Sequence, residues 1–115
     1  MSKAPRPISV AVTEAYPPRR PENSCGVVQV RLADGREFSL LTATPAWFEE
    51  AFRRLGLRYY FGPSILFVES LKTSVIRRAV KAMTAEGDRW LCVHDTPRTT
   101  LPEVLARFKA RHFSS

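Results

Sequence analysis

From Cys25 to Thr44 apolar and polar positions alternate with a period of two, interrupted once at Ala33-Asp34-Gly35. Taking those three residues as the loop, with Gly35 in the left-handed conformation, sets Val28 opposite Leu40, Val30 opposite Phe38 and Leu32 opposite Arg36. The other face pairs Gln29 with Ser39 and Arg31 with Glu37, which is apolar against apolar and charge against countercharge. A two-residue loop would set Leu32 against Glu37, so the pattern predicts the three-residue hairpin.

The period then changes. Thr44 and Pro45 have the form of a cap and first helical residue. Trp47, Phe48, Ala51, Phe52 and Leu55 share one arc, with Glu49–Arg53 and Glu50–Arg54 on the other. Gly56 ends this helix. Leu57–Phe61 reads as a strand broken by Gly62-Pro63, and Ile65–Val68 as a second, covered on both faces. Ser70 is placed to cap a helix running to Glu86, with Leu71, Val75, Ile76, Ala79, Val80 and Met83 inward and Arg77, Arg78 and Lys81 outward. Arg89–His94 is apolar on alternate positions of both faces and predicts a further strand. Thr100-Leu101-Pro102-Glu103 reads as a capping box opening a last helix, with Leu101, Val104, Leu105 and Phe108 inward.

Together these elements predict an α+β fold, a mixed sheet of four to six strands carrying about three helices. The N-terminal half supplies an antiparallel hairpin. The C-terminal half supplies a β-α-β-α unit whose two strands, Ile65–Val68 and Leu91–Val93, lie parallel. Residues 25–113 form a single domain. Residues 1–24 form a proline- and arginine-rich segment, with Ile8–Val12 as a short edge strand and 16–24 as an extended loop.

Composition narrows the function. The chain has 115 residues, 44% of them hydrophobic, which suits one folded domain. No uncharged run approaches the roughly 18 residues of a membrane span, and the N-terminus lacks a signal segment. Cys25 and Cys92 have neither CxxC nor zinc spacing, so both are expected as free, buried thiols in a reducing cytoplasm, with no metal or cofactor. The net charge is +7, and Arg far outnumbers Lys, which suits an anionic partner.

Two groups of residues carry candidate chemistry. If the two strands are parallel neighbours, Glu69, Ser70, His94, Asp95 and Thr96 meet at one sheet edge. There a carboxylate orienting an imidazole would supply acid–base chemistry. Alternatively Arg77, Arg78 and Lys81, with Arg107, Lys109 and Arg111 on the last helix and Arg19-Arg20 in the loop, form a phosphate-tracking surface to which Tyr59 or Tyr60 adds stacking. No helix-turn-helix or RNP motif accompanies them. The reading placed first is a small non-catalytic cytoplasmic protein-interaction module, self-associating through an edge such as Ile8–Val12. Nucleic-acid or polyanion binding comes second, and an enzyme using Glu69, His94 and Asp95 third.

Overall fold

A computed structural model describes residues 6–17, 20–96 and 99–113. Their order is β1 (Pro7–Tyr16), β2 (Cys25–Leu32), β3 (Glu37–Ala43), α1 (Pro45–Arg54), β4 (Leu66–Phe67), α2 (Thr73–Ala85), α3 (Arg89–His94) and α4 (Leu101–His112). The fold is α+β, a four-stranded mixed sheet in the order β1-β2-β3-β4 with helices on both faces.

The β2–β3 hairpin has the predicted register: Val28 opposite Leu40, Gln29 opposite Ser39, Val30 opposite Phe38 and Arg31 opposite Glu37. Leu32 N–H donates to the Arg36 carbonyl at 2.9 Å, and Gly35 turns the chain at φ +92°. On the polar face the Arg31 guanidinium holds Glu37 at 2.7 Å and the Gln29 amide donates to Ser39 Oγ at 2.6 Å. β1 spans 10 residues, beyond the expected Ile8–Val12, and pairs antiparallel with β2. Near its end a Cβ on Gly26 would overlap the Glu14 carbonyl, so the β1–β2 approach there requires glycine.

Consecutive residues of β3 face opposite ways, and each face builds its own core. Val28, Val30, Leu32, Phe38 and Leu40 pack with Ile76 and Val80 of α2 and Leu91 of α3. Cys25, Leu41 and Ala43 pack with Ala51 of α1 and Leu101, Val104, Leu105 and Phe108 of α4.

The C-terminal half departs from the expected β-α-β-α unit. Arg89–His94 is a helix, and the parallel pair among the described residues is β3 with β4, joined through α1. The cause lies at the two ends of the segment. The Asp88 carboxylate accepts a 2.6 Å bond from the Arg36 guanidinium, and Asp95 Oδ1 accepts from Ser39 N–H at 2.9 Å. These anchors lay α3 along β3 with Leu91 fully buried, Cys92 and Val93 exposed and Trp90 half-buried. A strand buried on both faces would have enclosed all four. Cys92 is therefore a free but exposed thiol, whereas Cys25 is free and buried as expected.

Leu57–Phe61 is not a strand either. Leu57 is buried, Tyr60 is half-buried and the residues around them are exposed. The Tyr60 hydroxyl donates to the Pro63 carbonyl at 2.7 Å, closing the segment into a turn. β4 is shorter than the expected Ile65–Val68 because it pairs only at Thr42 and Ala43. α2 begins at Thr73, after buried Leu71. Ser70 Oγ accepts from Lys72 N–H in the preceding turn, so Ser70 is not the helix cap.

Candidate functional site

The expected Glu69–His94–Asp95 crevice requires strands that the chain does not form. β4 runs alongside the end of β3, and Glu69 follows it into solvent. Asp95 pairs with Leu40 at the middle of β3. With Leu66 opposite Thr42, Glu69 falls beyond the end of β3, roughly 16 Å along the strand direction from Asp95 at about 3.3 Å per residue. His94 meets the backbone of Ser64, before β4, instead of Glu69 after it. Burial lowers the His94 pKa, against a smaller raising effect of the Ser64 backbone, and its Nδ1 is buried without a hydrogen-bond partner. The Asp95 carboxylate is engaged in holding Ser39 N–H, and Thr96 N–H donates to the Ser39 carbonyl at 2.8 Å. These groups terminate the β3 edge.

The basic residues do not merge into one patch. Arg77, Arg78 and Lys81 are exposed on α2, on one side of the sheet, and Arg107 and Arg111 are exposed on α4, on the other. Arg77 and Lys81 share a groove with Arg6 and Pro7–Val10. Arg20 lines a separate hollow with Arg54, Glu50 and Trp47 of α1. Arg19 lies outside the described residues.

What the structure does assemble is an aromatic surface. α1 ends at Arg54, capped by Leu55, and the chain returns across α1 and α4 through 57–65. Phe48 meets Phe67 edge-on at 5.4 Å and Tyr60 at 6.0 Å between ring centroids. Tyr60 and Phe61 each lie 5.1 Å from Phe108, and Phe61 lies 5.0 Å from His112. Tyr59 stacks on Phe61 at 6.3 Å and approaches Phe113 at 4.9 Å. The network leaves Tyr59 51%, Phe61 60% and Phe67 48% exposed, far more than rings of this size show in a core. Two shallow hollows meet at Tyr60–Pro63. One, of about 220 Å³, is bounded by Arg107, Arg111 and His112, and the other, of about 410 Å³, by Phe48, Phe52 and Phe67. Burial raises the Tyr60 pKa.

Sequence reasoning treated Phe48 and Phe52 as core and assigned Tyr59–Phe61 to a strand, which would have buried alternate rings. The turn signal Gly62-Pro63 immediately after three aromatics was the clue that they sit on a loop.

His, Cys, Asp and Glu form no cluster of metal-holding size among the described residues, and no described helix is long and apolar enough to cross a membrane. Buried Cys25, its pKa pushed up to about 12 by desolvation, is a packing residue. No protein-family model, curated protein or solved structure matches the chain.

Proposed function

We propose that the chain is a small non-catalytic cytoplasmic protein-interaction module that binds its partner through the aromatic surface of 59–67 and α4. The observation that carries this reading is the half-exposure of Tyr59, Phe61 and Phe67 within one connected set of rings. Large rings held in place bury much area at little entropic cost, and Tyr, Phe and Arg are all enriched at protein interfaces relative to the rest of the surface. Arg107 and Arg111 stand at the rim, where charge steers encounter. The dispersal of Glu69, His94 and Asp95 supports a non-catalytic role.

Light scattering on the purified chain is expected to show a dimer, or capture from lysate a stable stoichiometric complex. The Phe61→Ser/Phe67→Ser variant is expected to lose either species while unfolding at a similar temperature. A strict monomer that retrieves no partner overturns the reading.

Arg107 and Arg111 beside stacked rings also suit a single-stranded nucleic acid. That second reading requires binding of a short oligonucleotide that falls steeply with salt and is lost in Arg107→Glu/Arg111→Glu.

A further inference from the structure

β1 has β2 on one side and no strand on the other among the described residues. Its outer edge thus presents backbone N–H and C=O groups to solvent. Register shifts around Ile8 and Thr13 bracket this edge and leave Ser9–Val12 as one regular run. α2 packs under β1, where Val75, Ala79 and Met83 share a core with Val10 and Val12. From α2, Arg77 and Lys81 line a groove of about 500 Å³ whose other wall is Arg6 and Pro7–Val10. The ion pairs among the described residues use other cations, leaving Arg6, Arg77 and Lys81 without carboxylate partners.

We infer that this edge takes up an extended acidic segment of a partner protein, added as a fifth strand along Ser9–Val12 with alternate carboxylates on Arg77 and Lys81. Strand addition supplies the affinity through main-chain bonds, and flanking side chains supply the choice of sequence. Arg77 and Lys81 stand four residues apart, about 6 Å along the helix axis. Alternate side chains of a strand are spaced by about 6.7 Å. An acidic residue at every second position therefore matches both cations, while the intervening side chains turn to the opposite face.

A second copy of the chain is a poorer occupant. A twofold antiparallel β1–β1 pairing keeps both α2 helices on one face and brings Arg77 and Lys81 toward their own counterparts across the seam, a like-charge contact that costs affinity. A nucleic acid satisfies the cations but has no amide ladder to offer the strand edge. The inference concerns a surface separate from the aromatic one and stands or falls without it.

The probe is a fluorescent peptide of alternating Glu and Val, titrated against the full chain. Saturable binding is expected, weakened at least tenfold by Arg77→Glu/Lys81→Glu in a protein of unchanged circular dichroism. Tyr59→Ala/Phe61→Ala is expected to bind the peptide normally, which separates this surface from the aromatic one. Two versions of the peptide, N-methylated at the odd or at the even residues, test strand addition. One should lose binding and the other keep it, because only alternate amides of an added strand face β1. Absence of binding, indifference to the charge reversal, equal behaviour of the two methylated peptides, or equal affinity for an oligothymidine of the same charge each overturns the inference.

Discussion

The Thr44 side chain joins two elements through one oxygen. Its Oγ1 accepts from Ser24 N–H at 3.1 Å and from Trp47 N–H at 3.3 Å, and it donates to the Ser24 carbonyl at 3.3 Å. That uses the whole hydrogen-bonding capacity of a hydroxyl, in a residue 1% exposed. Thr44→Val keeps the volume but leaves Ser24 N–H buried without a partner and α1 without its cap, for an expected loss of about 2–4 kcal/mol. Thr44→Ser keeps the hydroxyl and gives up a methyl group, costing about 1 kcal/mol. Denaturant midpoints are thus expected in the order wild type, Ser, Val; a Val variant as stable as Ser would show that the hydroxyl does not join β2 to α1. The capping role was readable from Thr44-Pro45 alone. The Ser24 contacts, 20 residues away in sequence, were not, because nothing local encodes which distant backbone group a cap also serves.

At the scale of elements, α3 is too short to persist on helix propensity and depends on its anchors. Leu91 is its one buried side chain, and the Asp88–Arg36 and Asp95–Ser39 bonds hold its ends to β3. Leu91→Ala is expected to cost about 2–5 kcal/mol, the range for a leucine removed from a packed core. Val93→Thr, at an exposed position, should change stability by no more than about 0.5 kcal/mol. A strand buried on both faces would make both substitutions costly, so comparable losses at the two positions would overturn the helix.

The same contrast explains what was legible. The hairpin, α1, α2 and α4 follow local rules, a period of two or of 3.6 closed by turn and cap residues, and all four form essentially where those rules put them. Arg89–His94 is six residues long, too few to tell a helix turning one side chain inward from a strand burying several. Gly87-Asp88, a stop followed by a capping residue, was the available signal for a helix. The aromatic surface was illegible for a related reason: exposure of Tyr59, Phe61 and Phe67 depends on how α1, α4 and the 57–67 segment fit together. The exposed charges of α2 were readable from its helical period, but their place beside the β1 edge was set by the sheet order.

The whole molecule is built around a sheet that belongs to two cores at once. Leu40 and Leu41 are consecutive, both fully buried, and each packs into a different cluster. Neither side can melt alone without exposing one face of β2 and β3, so the sheet couples the two layers. The tryptophans report on them separately: Trp47 of α1 packs against the α1/α4 core, and Trp90 lies on α3 on the other side, its ring 4.7 Å from the Arg89 guanidinium carbon. In the single-tryptophan variants Trp90→Phe and Trp47→Phe, fluorescence is expected to give denaturant transitions that coincide with the loss of far-ultraviolet circular dichroism in the same protein. If Trp47 reported its transition ahead of the circular dichroism, the α1/α4 layer that carries the aromatic surface would unfold on its own. The coupling through β3 would then be too weak to hold that surface in shape. Coincident transitions mean that the rings at 59–67 are presented by the same cooperative unit that holds the hairpin, as a preorganised binding surface requires.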